Sequence, residues 1–254
     1  MQPFIATNFT DLLVHYQLNT FAQLWAKPID WFETPNQRRG GWSGVGRLAL
    51  INNAGNTHIF YLKKQQNHGR RTWCNPILGE PTFRREFANL QLLAANHFAA
   101  PKVVFYAEGI DKNQPCAVLM TEELSDFKDL AELTETWLPT ASRAKKMTLI
   151  KKIANEIKRF HGLGLVHRAL YPKHIFVKNV NIAPEVALID CEKMRCNNNQ
   201  TNNAIFDLSA LNRHSQGWRN TQRMAFLKHY LQINQLDCNS KKIARQILKR
   251  AARA

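Results

Sequence analysis

Residues 161–177 read His161-Gly-Leu-Gly-Leu-Val-His167-Arg168-Ala169-Leu170-Tyr171-Pro172-Lys173-His174-Ile175-Phe176-Val177. Just upstream, Leu149, Ile153, Ile157 and Phe160 recur at helical spacing, with Lys151, Lys152, Lys158 and Arg159 on the remaining surface. Gly162 and Gly164 stop that helix, because glycine enters the left-handed conformation of a helix end without a Cβ clash. A polar loop follows, and Ile175–Lys178 with Val186–Ile189 predict a short hairpin. Its second strand, Val186-Ala-Leu-Ile-Asp190, is apolar and ends in a carboxylate. Taken singly, Asp190 reads equally as a turn or cap residue.

The N-terminal half has a different texture. Residues 1–33 carry an apolar helical pattern (Leu12, Leu13, Tyr16, Leu18, then Phe21, Leu24, Trp25) and read as an extension packed on the body. Arg38 to Gly46 reads as a glycine-rich turn between strands. Gly41, Gly44 and Gly46 there suit either an ordinary turn or a cradle in which Cβ-free backbone approaches phosphate. Arg47–Asn52 and His58–Lys64 look extended around the turn-forming Asn52-Asn-Ala-Gly-Asn56, and residues 65–81 form a polar connection. Lys63 ends an apolar strand, where a snorkelling lysine is the plain reading. A helix is expected from Pro81-Thr82 to about Phe98, stopped by Pro101, with Phe83, Phe87, Leu90 and Ala94 on one face. Glu86 borders that stripe and wants a cation. Strands are expected at Val103–Tyr106 and Cys116–Thr121, a mobile Asn-rich loop at Asn197–Asn203, and helix from about Phe206 onward. Strands first and helices later make an α+β chain of two lobes, residues 1–121 and 122–254.

Composition narrows the class. In 254 residues there are 35 Lys and Arg against 19 Asp and Glu, a formal charge of +16. Residues 1–121 hold 12 basic and 7 acidic side chains, so most of the excess lies in the second half. Five scattered cysteines, none in a C-x-x-C pair, encourage neither a disulfide framework nor a zinc module. The N-terminal residues lack the pattern of a secretory leader, and a reduced, cytosolic protein is expected. Ser240 to Ala254 carries Lys241, Lys242, Arg245, Lys249, Arg250 and Arg253 with no acid, while Ile243, Ile247 and Leu248 recur at helical spacing. This basic amphipathic helix suits a solvated surface or an anionic membrane face. Nucleic acid is not encouraged, since neither zinc-finger spacing nor an RNP-like aromatic motif is present.

The order of glycine cluster, strand Lys63, helix Glu86, His167-Arg168 loop and Ile189-Asp190 resembles the protein-kinase-like fold. Arg39-Gly-Gly-Trp-Ser43, Tyr61-Leu-Lys-Lys-Gln65, Gly79-Glu-Pro-Thr-Phe-Arg-Arg-Glu-Phe87 and Leu170-Tyr-Pro-Lys-His-Ile-Phe176 resemble the bacterial lipopolysaccharide kinase family (Kdo and heptose kinases, InaA/WaaP type), most like its InaA branch, over about residues 38–215. The resemblance implies a small antiparallel-sheet N-lobe and a short helical C-lobe. It implies that Lys63, placed by Glu86, holds ATP phosphates beside Gly41, Gly44 and Gly46, and that Glu122 and Leu124 lie in the segment meeting adenine. It further implies that Asp190 binds Mg2+ with His174 as a second ligand position, and that His167 and Arg168 belong to the catalytic loop.

The position after His-Arg, an aspartate in that family, is Ala169 here. Alanine neither orients a hydroxyl nor takes its proton, a contribution of about 10²–10⁴-fold where present. His174 or Glu192 is the expected partial substitute. The rival is a pseudokinase-like nucleotide- or partner-binding envelope or stress protein. An aminoglycoside-type phosphotransferase would call for an acidic acceptor cleft. The expected acceptor is an anionic glycolipid, lipopolysaccharide core, met at the cytoplasmic face of the inner membrane through the basic C-lobe.

Overall fold

Strand-forming runs separated by tight turns give the first unit, Met1–Leu124, an antiparallel sheet. The computed structural model describes residues 2–38, 40–70 and 79–253. Its first unit contains β1 (Phe4–Ile5), α1 (Thr10–His15), α2 (Phe21–Ala26), β2 (Asn36–Arg38), β3 (Gly41–Ile51), β4 (Thr57–Gln66), β5 (Gly69–Arg70), β6 (Glu80–Pro81), α3 (Thr82–Ala95), β7 (Val103–Asp111) and β8 (Gln114–Glu122). Six strands pair in the order β1-β7-β8-β4-β3-β2, each pair antiparallel. At the β3–β4 turn the Asn52 side chain accepts from the amides of Ala54 and Asn56 at 3.0 and 2.9 Å, an Asx turn. Strands β7 and β8 run longer than expected and form a two-residue hairpin. Lys112 and Asn113 both take positive φ there (49° and 60°), the geometry that matches strand twist.

Successive side chains of β4 face opposite ways. Phe60 and Leu62 join a core with Phe9, Leu13 and Leu24, so residues 1–33 are more than an extension: they supply core side chains and, through β1, an edge strand. On the same face the buried Lys64 donates from Nζ to the carbonyls of Trp25 and Lys27, at 2.8 and 2.6 Å. Burial pushes its pKa down to about 8. The opposite face of β4 carries Tyr61, Lys63 and Gln65, and α3 docks there.

Only the start of the glycine cluster is a turn, since Arg38 at the end of β2 pairs with Gly41 at the start of β3. Arg39, quoted in the motif, lies outside the described residues; Gly40 takes φ +74°, and Gly41, Gly44 and Gly46 stand inside β3. Gly44 and Gly46 lie opposite Lys64 and Leu62, on the face that packs the N-terminal helices. A Cβ at Gly46 would lie 1.8 Å from Ile29 Cγ2, and one at Gly44 2.7 Å from the Trp31 ring. Glycine is needed here because residues 29–32 run against the strand, with the Phe32 amide donating to the Val45 carbonyl at 2.8 Å. Gly46→Ala is therefore expected to cost about 1–3 kcal/mol by overpacking. Urea unfolding measures it, and Ile29→Ala in the same chain should restore part of the loss.

The second unit, Ser125–Ala254, contains β9 (Lys128–Asp129), α4 (Leu130–Thr136), α5 (Arg143–Gly162), β10 (Leu165–Val166), β11 (Ile175–Lys178), β12 (Glu185–Leu188), β13 (Arg195–Cys196), α6 (Gln200–His214), α7 (Asn220–Leu231) and α8 (Cys238–Ala251). Helix α5 buries the anticipated stripe and closes with Gly164 at φ +72°. The β11–β12 hairpin forms as expected, with β9 added beside β11. The Asn-rich run is only partly a loop. Asn199 caps α6 by accepting from the Asn202 amide at 3.0 Å, and the buried Asn203 donates to the Asn197 carbonyl at 2.7 Å. Asparagine is a strong N-cap, so the run is a helix start. Helix α3 ends at Ala95, earlier than Pro101 required, in a turn where His97 takes φ 56°.

Helix α8 is the basic amphipathic helix, capped by Asp237 through the Ser240 amide at 2.7 Å. Its apolar face, Ala244, Ile247 and Leu248, walls a cavity of about 380 Å³ against α5, α6 and α7. No described helix is long and apolar enough to cross a membrane. The described cysteines are free thiols, two buried (Cys116, Cys191) and two exposed (Cys196, Cys238); Cys74 and the 71–78 part of the polar connection lie outside the described residues.

Candidate active site

Each unit carries its own set of polar side chains. In the first, Lys63 Nζ donates to Glu86 Oε1 at 2.5 Å, with the carboxylate almost closed to water. The pairing follows from the sequence two residues on. Gln65, buried, accepts from the Phe83 amide and the Thr82 hydroxyl, both at 3.0 Å, and donates to the His68 carbonyl at 2.7 Å. One side chain of β4 thus caps α3, and one helical turn later Glu86 meets Lys63. From the far side Arg84 binds Glu108 of β7, by Nε at 2.7 Å and Nη2 at 2.5 Å, and Tyr106 also donates to Glu108. Helix α3 is pinned to two strands, and the Lys63 ammonium has a fixed position. Such a cation suits phosphate oxygens.

Glu122, at the end of β8, pairs with His58 at 3.6 Å and Lys102 at 4.0 Å. Its amide donates to the Lys102 carbonyl and that of Glu123 to the Ile59 carbonyl, both at 2.9 Å. On the Lys63 face, the Tyr61 hydroxyl donates to Glu123 at 3.2 Å, and Arg47 holds the same carboxylate at 3.3 Å.

In the second unit the decisive residue is one that sequence reasoning missed. Asp207, fully buried in α6, accepts from the amides of His167 and Arg168 at 2.7 and 2.8 Å, and pairs with His161 Nε2 at 3.1 Å. His161 Nδ1 lies 2.8 Å from the Tyr230 hydroxyl. With Asp207 accepting from Nε2–H, the other nitrogen accepts from Tyr230. This chain of polar groups crosses α7, α5 and α6 and ends on the loop, where Arg168 takes φ 67°. The available signal was an acid among Ala204, Leu208 and Leu211 on the buried face of a helix, a position no acid occupies without donors.

His167 is closed to water. Its Nε2 donates to the Ile189 carbonyl at 3.0 Å, and Nδ1 has no partner; burial holds its pKa below the ordinary histidine range. Buried in this way, it ties the loop to the strand that leads to Asp190. His174 Nδ1 lies 2.8 Å from the Ala169 carbonyl and 3.5 Å from Asp190 Oδ2. The carbonyl can only accept, so Nδ1 carries the proton and any metal or substrate contact of His174 falls to Nε2. Burial lowers its pKa, opposed by the Ala169 bond and by Asp190. Asp190 sits at φ 56°, ψ 49°, with 39% of its side chain exposed. Glu192 lies in the 3-10 turn that follows.

Among the described residues no three His, Cys, Asp or Glu side chains form a ready metal cage. An exposed hard carboxylate nonetheless suits Mg2+, which keeps water and phosphate oxygens as its other ligands. Asp190 fits that role better than the His174 imidazole. Ala169 is buried, with its carbonyl accepting from the Tyr171 amide at 2.8 Å as well as from His174.

A sheet unit with a lysine–glutamate pair, followed by a helical unit with a His-Arg loop and an exposed Asp, matches a kinase-like fold. The chain belongs to the lipopolysaccharide kinase (Kdo/WaaP) family, whose model matches residues 22–230. It is 29% identical over 185 residues to Protein InaA of Escherichia coli (strain K12), covering 72% of this chain and 82% of that protein. Among solved structures it is similar to WaaP in complex with acyl carrier protein, with a TM-score of 0.68 over 99% of this chain and 95% of that one. At 17% identity that likeness is one of fold, and it is the two-lobed α+β fold anticipated from the sequence.

Proposed function

We propose that the chain is an ATP-dependent phosphotransferase acting on a sugar hydroxyl of lipopolysaccharide core, slowed by the alanine at 169. The observation that carries this reading is the Lys63–Glu86 pair, held at 2.5 Å by a capped helix. Lys63 would hold the nucleotide phosphates, and the Glu122 carbonyl and Leu124 amide the base. Asp190 would hold Mg2+, which supplies charge neutralisation at the phosphates when bound. Phosphoryl transfer depends mainly on positioning and charge, because its transition state is loose, so loss of the base need not end it. His174 Nε2 or Glu192 then takes the hydroxyl proton.

The acceptor would be an anionic glycolipid reached at the inner membrane's cytoplasmic face, with α5 and α8 presenting cations to it. The apolar cavity beside α8 would take an acyl chain, whether from that lipid or from an acyl carrier protein like the partner in the WaaP complex. Ala169 favours one second reading, a pseudokinase that binds nucleotide or a partner without turnover.

ADP release from Mg-ATP with a core glycolipid separates the two. His174→Ala or Glu192→Gln should slow release about 10-fold or more if that residue serves as base. Equal rates for both variants and the parent would remove the substitute-base idea. No glycolipid-dependent release at all leaves the pseudokinase reading.

A further inference from the structure

Phe206, early in α6, carries two guanidinium groups. Arg168, from the loop just before Ala169, lies 5.6 Å from the ring centroid, and Arg250, in the last turn of α8, lies 4.3 Å from it. Two like charges gathered on one ring repel each other. Neither forms an ion pair with a carboxylate among the described residues, and α8 has no acid of its own. A guanidinium held by an aromatic ring keeps its N–H donors, which can grip phosphate by paired hydrogen bonds. Arg168 is presented from a rigid base, since Asp207 holds its amide at 2.8 Å.

We infer that Arg168 and Arg250, aligned by Phe206, form a binding site for a phosphomonoester carried by the acceptor. Arg168 directly precedes Ala169 in the chain, so an anion held by it would help to orient an acceptor at this loop. Its second arm comes from α8, which follows residue 230, where the family match ends. That the phosphomonoester belongs to an acceptor rests on the kinase reading above; the anion site itself does not.

The test uses the full chain without nucleotide. Glucose 6-phosphate is titrated calorimetrically, and phosphatidylcholine vesicles with and without phosphatidic acid are tested by co-sedimentation. Arg250→Gln should weaken phosphomonoester binding about tenfold or more, with Arg250→Lys between it and the parent. Phe206→Leu should weaken it too, while Lys112→Gln, the same charge change in the exposed β7–β8 turn of the first unit, should leave it unaltered. Arg250-dependent binding of the soluble ester marks a sugar phosphate as the ligand; such binding only of phosphatidic acid vesicles marks a lipid headgroup. Equal losses in Arg250→Gln and Lys112→Gln, no loss in Arg250→Gln, or no binding by the parent overturns the site. Because nucleotide is absent, a chain that binds through Arg250 yet never turns over ATP keeps this site and loses the kinase reading.

Discussion

Asp207→Ala is expected to lower the unfolding free energy by about 3–5 kcal/mol, the cost of breaking a buried charged network from one side. The carboxylate accepts from two backbone amides and lies against His161 Nε2, with no exposed surface. Without it the His167 and Arg168 amides are buried donors with no acceptor, at about 1–3 kcal/mol for each unmet group. Arg168 also loses what keeps it in the left-handed region. Asp207→Asn should fall between, because one of its two terminal atoms becomes a donor facing a donor. Urea denaturation gives the numbers, and a loss under about 1 kcal/mol for Asp207→Ala would show that the loop is held by other contacts.

Lys63→Met should show the second large effect, and on two readouts. It strips the cation from Glu86, whose side chain is 5% exposed. The expected cost is about 3 kcal/mol, the low end for a buried pair because Lys63 keeps some contact with water. Adding Glu86→Gln to that variant should recover most of the stability, since a neutral amide is far cheaper to bury than an unpaired carboxylate. Nucleotide response should not recover with it. Mg-ATP at about 100 times its Kd stabilises a binder by about 2.7 kcal/mol, and both the single and the double variant should lose most of that gain. Restored stability with restored nucleotide response would mean that Lys63 is structural only.

Much of this architecture was legible in the residues. Helix α5, the β11–β12 hairpin and α3 follow from spacing and punctuation, and Glu86 could be picked out as a carboxylate bordering an apolar stripe. The family strings placed Lys63 and Asp190, and the structure brings Lys63 to Glu86 and Asp190 to His174. What escaped the sequence depended on contacts between distant segments. The glycines of β3 suited either a turn or a cradle, and no local pattern showed that Trp31 and Ile29 pack where Cβ atoms at Gly44 and Gly46 would lie. Gln65 looks like one more polar residue in a strand, yet it caps a helix that starts 17 residues later. Asp207 stands 39 residues from the amide of Arg168, and no local pattern links them. His167 was legible as part of the loop, but its role turned on a carbonyl 22 residues away.

The central proposal gives Lys63 a role toward nucleotide phosphates and Asp190 a role toward Mg2+. The most direct measurement is ATP affinity with and without Mg2+ for the parent, Lys63→Met and Asp190→Asn. The parent should bind ATP more tightly with Mg2+, Asp190→Asn should bind equally with and without it, and Lys63→Met should be weaker in both conditions. An Asp190→Asn chain that keeps the full Mg2+ enhancement, or a Lys63→Met chain that binds like the parent, would contradict it.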